Sequence, residues 1–381
     1  MSLRTGSGEI LGEAGHRSAM ISLKTISKSV ALLLLGLVMA GILSEVTARI
    51  LFPHWAPRTG ALTSFWRHDP TLGWSHVPNS KGSFSSFGFE SMVTINSKGF
   101  RDKERSYERD PAKYRIVVLG DSMVWGWGVQ QNEIFTALLE KQRQDIEVIN
   151  LGVSGYGTDQ ELILLRQEAV RYNPDLIVVV VMDNDFDTNV RKALFLGYNK
   201  PAFELANDGN LHLINTPVPE QSLWVHIAVW PVRHSYVLNQ AARAYEQFTL
   251  MLASRKSPPQ RQQPQTIDAD DHVSFPQSFK ESLTTALLFA IQKESQKNGA
   301  ELLLILTDRL GKHGERIERY FKSQHVRILN LDPFFPRNQV EELHVPDRVH
   351  WTARGHQKVA DGLLDYLKNE HLLKEPLKTA D

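Results

Sequence analysis

The chain has 381 residues, with 43 basic (Lys and Arg) and 43 acidic (Asp and Glu) side chains and no cysteine. This length suits one large domain with appendages. The balanced charge gives no reason to expect nucleic acid or an acidic polymer as a partner. The lack of cysteine excludes disulfides, thiolate metal ligands and a cysteine nucleophile.

One N-terminal segment is apolar enough to enter a membrane. Val30–Leu43 is uninterrupted but shorter than the ~20 residues that a helical span needs. The apolar pattern continues to Phe52, and within this extension Glu45 and Arg49 lie one helical turn apart, where they can pair near the membrane surface. The sequence therefore predicts a transmembrane anchor over residues 30–52.

Basic residues before the anchor predict its orientation. They are Arg17, Lys24 and Lys28. Because positive flanks stay inside, we expect a cytoplasmic tail over residues 1–29 and a periplasmic or extracellular remainder. No strong small-residue cleavage motif follows the apolar run, which favours an uncleaved anchor over a cleaved signal peptide. Met20 opens a shorter basic leader, so Met1 and Met20 both remain candidate starts.

Residues 53–114 are rich in Gly, Ser, Pro and aromatic side chains, which predicts a β-rich arm that serves as a packing extension. From residue 115 to 381 short apolar strands alternate with helices, so we predict a parallel sheet with helices on both faces. The predicted strands are Ile116–Leu119, Ile146–Asn150, Leu176–Met182, Leu302–Leu306 and Val326–Leu331. The predicted helices cover 132–143, 158–172, 276–298 and a segment after Thr352.

An insertion at residues 186–275 interrupts this alternation. Within it, 201–215 has the pattern of a hairpin that turns at Asn207-Asp208-Gly209, and 219–252 contains a predicted helix. Residues 254–271 are low in complexity and predicted to be disordered. The insertion follows the end of a strand, where such sheets bind ligands, so a substrate lid and plain packing both remain open.

Four polar segments follow predicted strands or precede a helix. They are Gly120-Asp121-Ser122, Asn150 to Thr158, Asp183-Asn184-Asp185 and Asp347-Arg348-Val349-His350. The carboxyl ends of parallel strands meet at one edge of a sheet, so we expect the first three segments to converge there. The fourth can join them, because it also lies in a loop that precedes a helix.

The residue types in these segments suit the hydrolysis of an ester. A serine hydroxyl such as Ser122 needs a base, and His350 has a suitable pKa range. Asp347 can orient the imidazole through its other ring nitrogen. The Ser122 and Gly155 backbone N–H groups and the Asn184 amide can stabilise an oxyanion, and a glycine lets the main chain approach the substrate. We predict Ser122, Asp347 and His350 as catalytic, and Ser122, Gly155 and Asn184 as the oxyanion hole.

Together the four segments resemble the sequence blocks of the SGNH hydrolases, the GDSL-like esterase and lipase superfamily, in its membrane-anchored bacterial form. The resemblance covers about residues 115–198 and 277–370. It implies a flavodoxin-like three-layer α/β/α sandwich with a mostly parallel sheet. Family members include esterases that act on small acyl esters or acetylated sugars, and acyltransferases that modify exported polysaccharides such as alginate and peptidoglycan.

The chain departs from the family pattern at two places. Asp183 stands where the family has glycine, and Met123-Val124-Trp125 follows the nucleophile where the family has leucine. An ionised Asp183 facing the site would disfavour a developing oxyanion, so we expect Asp183→Gly to raise kcat/KM. The alternative is that Asp183 makes local hydrogen bonds at its turn. Trp125 and Trp127 could line an acyl pocket, although core packing is favoured.

The sequence thus predicts a serine esterase of the cell envelope that hydrolyses acyl esters, with O-acetyl the favoured acyl group. The alternatives are an O-acyltransferase for an exported polysaccharide and a non-catalytic glycan-binding protein. The expected partners are an acylated small molecule or glycan, and the membrane through the N-terminal helix. We expect no cofactor and no metal, because Asp183 and Asp185 have no third ligand at suitable spacing. His344 and His356 are expected at the surface or in supporting positions.

Overall fold

The computed structural model describes residues 10–52, 65–86, 89–194, 198–241, 244 and 277–373. The predicted disordered segment 254–271 lies outside these residues. The chain divides into two compact units. Unit 1 comprises Met1–Pro57 and Pro231–Arg243, and unit 2 comprises Arg58–Trp230 and Ala244–Asp381.

Unit 1 is built on one long helix, α1 (Ile10–Leu51). Its segment Lys28–Leu51 is long and apolar enough to cross a membrane. The helix begins well before that segment, so much of the predicted tail is helical. No proline interrupts residues 10–51, and a helix that has already formed extends at little cost per residue.

Unit 2 contains thirteen strands among the described residues. They are β1 (Trp66–Asp69), β2 (Gly73–His76), β3 (Lys81–Ser86), β4 (Phe89–Thr94), β5 (Tyr114–Leu119), β6 (Ile146–Asn150), β7 (Leu176–Val181), β8 (Ala193–Leu194), β9 (Tyr198–Asn199), β10 (Ala202–Leu205), β11 (Leu211–Ile214), β12 (Glu301–Leu306) and β13 (Arg327–Asn330). The helices after α1 are α2 (Ser122–Trp125), α3 (Phe135–Gln142), α4 (Thr158–Gln167), α5 (Asp185–Thr188), α6 (Leu223–His234), α7 (Gln277–Lys297), α8 (Lys312–Ser323), α9 (Val340–Leu343) and α10 (Ala353–Asn369). Helix α6 crosses from unit 2 into unit 1 at Pro231.

A five-stranded parallel sheet in the order β13-β12-β7-β5-β6 forms the centre of unit 2. Successive side chains of β5 point to opposite faces, so Val117 and Leu119 enter one core while Ile116 and Val118 enter the other. Helices α4 and α7 cover the first core, and α3 and α10 cover the second. This arrangement confirms the predicted three-layer α/β/α fold.

The predicted elements agree closely with this sheet, with two local differences. The predicted helix 158–172 ends at Gln167 and continues as a 3-10 turn, Ala169–Tyr172. The amphipathic helix α8 between β12 and β13 was not predicted. It completes the right-handed crossover that parallel strands require.

The insertion contains the predicted hairpin, and the strands of the predicted β-rich arm also pair as hairpins. In the arm, β1–β2 and β3–β4 pair antiparallel, and their side chains join a small core that includes Phe84, Val93 and Trp125. In the insertion, β10 pairs with β11 around the turn that contains Gly209, whose φ is 82°. The arm therefore packs against the segment that follows Ser122.

Candidate active site

The structure brings the three predicted catalytic side chains into one hydrogen-bonded chain. Ser122 begins α2, three positions after the end of β5 at Leu119. Its Oγ lies 2.8 Å from His350 Nε2, and His350 Nδ1 lies 2.5 Å from Asp347 Oδ2. The imidazole is thus held between a hydroxyl and a carboxylate, as proton transfer from a serine nucleophile requires.

Hydrogen bonds within the loop that carries Asp347 and His350 fix its conformation. The second oxygen of Asp347 accepts hydrogen bonds from the backbone N–H groups of Val349 (2.7 Å) and His350 (3.0 Å), and Val345 N donates to His350 O (2.8 Å). Burial acts to raise the pKa of Asp347, but its hydrogen bonds from His350 and Val349 and its electrostatic interaction with the imidazole outweigh this effect and hold the pKa below its ordinary value. Asp347 is therefore ionised at neutral pH.

The candidate oxyanion donors follow three adjacent strands. Ser122 follows β5, Gly155 follows β6 and Asn184 follows β7, and the sheet order places these strands side by side. Asn184 Nδ2 donates one hydrogen bond to Asp121 Oδ2 (3.2 Å), which fixes the amide. The second N–H of this amide can then be offered to a substrate oxygen.

The turn that carries Gly155 is pressed against the nucleophile segment. A Cβ at Gly152 would lie 2.5 Å from the backbone nitrogen of Trp125, so only glycine fits there. Gly155 itself has a φ of 84°, which few other residues adopt. From the arm, Trp74 Nε1 donates to Ser154 O (3.1 Å). The arm thus holds the turn in place, a function that its composition alone did not reveal.

Trp127 is a site residue whose role the sequence reasoning missed. Its ring stacks on the His350 imidazole, with centroids 5.3 Å apart and an interplanar angle of 17°, and it meets Phe84 edge-on at 4.7 Å. Arg101 fixes the segment around Trp127 by donating hydrogen bonds to the carbonyls of Gly126 and Val129. By contrast Trp125 is fully buried in the arm core, in agreement with the favoured packing interpretation.

Asp183 has a counter-charge that the sequence pattern could not show. Its Oδ2 lies 4.0 Å from Arg309 Nε, in the loop after β12. Arg309 Nη1 also donates to the carbonyl of Arg348, a residue with a φ of 58° between Asp347 and His350. Arg309 therefore connects the turn after β7 to the loop that carries the base.

The two other candidate histidines are both buried and act as supports. His344 Nε2 lies 3.1 Å from Asp308 Oδ2, and His344 pairs with Trp351 in a β-bridge that flanks the loop of His350. Burial lowers the pKa of His356 to about 3, and its neutral Nδ1 accepts a hydrogen bond from Phe135 N (3.3 Å). The supporting role predicted for both residues fits these contacts, whereas a surface position does not.

Buried carboxyl groups lie behind the oxyanion donors. Asp185 Oδ2 accepts a hydrogen bond from Met182 N (2.8 Å), while neither side-chain oxygen of Glu161 has a hydrogen-bond partner among the described residues. Burial raises the pKa of Glu161 and of Asp185 well above their ordinary values, and their mutual repulsion adds to this for Glu161. Nearby, Asp159 forms a fully buried ion pair with Lys200 of the insertion.

Comparisons with known proteins identify the family of this chain. The family model "GDSL-like Lipase/Acylhydrolase" matches residues 116–363, well over half of the chain. No curated protein sequence matches the chain.

Solved structures that are similar to this chain include the following three. TesA is 14% identical, with 67% of this chain and 98% of that chain covered at a TM-score of 0.39. The esterase EstA from Pseudoalteromonas sp. is 15% identical, with 68% and 100% covered at 0.36. A lipolytic G-D-S-L family member from Veillonella parvula DSM 2008 is 12% identical, with 66% and 96% covered at 0.37. On the strength of the family match, this chain belongs to the GDSL-like lipase and acylhydrolase family and is a carboxylic ester hydrolase.

Proposed function

We propose that the protein is a serine esterase that hydrolyses O-acyl esters, with Ser122 as the nucleophile. The observation that carries this proposal is the continuous contact from Ser122 Oγ through His350 to Asp347, at 2.8 and 2.5 Å. Ser122 is partly exposed, so a substrate carbonyl can reach it.

In the acylation step Ser122 Oγ attacks the ester carbonyl carbon while His350 Nε2 takes the hydroxyl proton. The ionised Asp347 stabilises the imidazolium that results. The oxyanion lies against the N–H groups of Ser122 and Gly155 and the amide of Asn184, and each such donor contributes ~3 kcal/mol. The carbon–oxygen bond of the ester then breaks, and the alcohol leaves with the proton from His350.

In the second step water attacks the carbonyl carbon of the acyl-serine while His350 takes a proton from it. The bond between this carbon and Ser122 Oγ then breaks, the acyl group leaves as the carboxylic acid, and His350 returns the proton to Oγ. A sugar hydroxyl can replace water in this step without any change in the catalytic groups. Product analysis with acetylated glycans, in the presence and absence of acceptor glycan, distinguishes hydrolysis from transfer.

The proposed substrate is an acetylated glycan or a small acetyl ester outside the cytoplasm. The apolar segment Lys28–Leu51 and the basic residues before it support this location. An alkaline phosphatase fused after Asp381 is expected to be active in bacterial cells. An inactive phosphatase, together with an active cytoplasmic reporter at the same position, would reverse the proposed orientation.

The catalytic proposal is tested with Ser122→Ala and a matched control, Ser323→Ala, at the exposed end of α8. We expect Ser122→Ala to abolish turnover of an aryl acetate and labelling by a fluorophosphonate, with an unchanged melting temperature. Ser323→Ala should retain both activities. Full turnover by purified Ser122→Ala would refute the assignment of the nucleophile.

A further inference from the structure

Among the described side chains of helix α6, four large apolar ones are exposed to solvent and form a stripe. Leu223, Trp224, Ile227 and Trp230 are each between 51% and 77% exposed. At 100° per residue these four positions fall within about a third of the helix circumference. The two tryptophans alone expose on the order of 300 Å² of ring surface, which is as large as a whole exposed patch on an ordinary soluble protein.

The chain that follows α6 is fixed to α1 within unit 1. Glu45 accepts hydrogen bonds from Ser235 Oγ (2.8 Å), Tyr236 N (3.0 Å) and Val237 N (3.2 Å). Arg49 Nη2 donates to the carbonyl of His234 (2.9 Å), the last residue of α6, and the Arg49 guanidinium lies over the Tyr236 ring at 5.0 Å.

These contacts place the end of α6 at the membrane surface. Glu45 is six residues before the end of the segment Lys28–Leu51, or about 9 Å along the helix axis. A hydrocarbon core of ~30 Å needs ~20 of the 24 residues in this segment, so Arg49 lies at its boundary and Glu45 about one helical turn inside it. Backbone N–H groups at this depth require partners, and Glu45 supplies them for Tyr236 and Val237.

We propose that the α6 stripe, defined as Leu223, Trp224, Ile227 and Trp230, docks onto the surface of a lipid bilayer. The chemistry favours lipid, because tryptophan at an apolar face is the side chain that membrane interfaces favour. Chain continuity favours it as well, since α6 runs directly into residues bound to the outer end of the span. This inference rests on α1 as a membrane anchor and adds a second, surface-bound contact to it.

The experiment uses the absence of cysteine from the chain. Single variants Trp224→Cys, Ile227→Cys and Trp230→Cys in the full-length protein are labelled with an NBD fluorophore and reconstituted into phosphatidylcholine–phosphatidylglycerol vesicles. Leu35→Cys, in the span, is the lipid control, and Tyr320→Cys, exposed on α8, is the aqueous control. Hydrolysis of an aryl acetate by each labelled sample reports separately on the proposed catalytic function.

Docking predicts blue-shifted emission and strong quenching by doxyl lipids at the three α6 positions, as at Leu35→Cys, and no quenching at Tyr320→Cys. Water-like, unquenched emission at α6 together with quenching at Leu35→Cys would refute docking and leave the anchor intact. Blue-shifted emission that doxyl lipids do not quench would also refute it, because a second copy or another protein segment then covers the stripe. Unquenched Leu35→Cys would refute both the anchor and the docking.

Discussion

Replacement of Trp127 by alanine tests whether this side chain holds the catalytic base, His350, in its productive orientation. The indole stacks on His350 at 5.3 Å and contacts Phe84 at 4.7 Å. Each aromatic contact is worth ~0.5–1.5 kcal/mol. The loss of both contacts should therefore cost about 2 kcal/mol of folding stability. At ~2–4 °C per kcal/mol for a domain of this size, the melting temperature should fall by about 4–8 °C.

The same substitution should slow the reaction. The imidazolium that forms on His350 lies against the face of the indole, a cation–π contact worth ~0.5–1 kcal/mol, or about 2–5-fold in rate. Loss of the stacked ring also frees the imidazole to leave its productive orientation. We expect kcat/KM for an aryl acetate to fall about tenfold overall.

Trp127→Phe is the matched control, because it keeps a ring over His350. It should remain within about threefold of the wild-type kcat/KM. Both variants are compared by steady-state kinetics and thermal melts. A lower melting temperature for Trp127→Ala with an unchanged kcat/KM would show that the ring only packs, and would refute the positioning role.

Three further predictions concern the carboxyl groups. Asp347→Asn should lower kcat by roughly 10³–10⁴-fold with little effect on KM. The pKa of Asp347 in the folded protein is below its unfolded value of 3.8. The ionised carboxylate therefore stabilises the wild type above about pH 4, and this stabilisation is lost below that pH. The melting temperatures of the variant and the wild type should accordingly differ less at pH 3 than at pH 7. Glu161→Gln should raise the melting temperature at pH 8, with a gain that shrinks toward pH 4. Burial raises the pKa of this carboxyl, so the stability of the wild type falls as the pH rises above 4.5. An equal difference in melting temperature between variant and wild type at both pH values would contradict a protonated Glu161. Asp183→Gly removes the partner of Arg309, so we now expect kcat/KM to fall or stay level, and a rise would restore the expectation based on sequence alone.

The sequence by itself determined the sheet and the positions of the site residues along it. The strands that end at Leu119, Asn150 and Val181 are mostly apolar, and the runs 116–119 and 176–181 are apolar throughout, as expected for a parallel sheet between two helical layers. The polar segments that follow those runs must then share one sheet edge. Ser122, Gly155 and Asn184 could therefore be placed together before any coordinate was known.

Only the tertiary structure decided which distant side chains support that site. Trp127 reaches His350 across 223 positions of the sequence, and Arg309 joins Asp183 to the loop of His350. Neither contact leaves a periodic pattern, because each depends on how loops from different strands pack. The same is true of Glu45, whose partners after α6 lie about 190 residues away. Local sequence patterns encode periodicity and turns, whereas such long-range pairs are selected by the geometry of the folded chain.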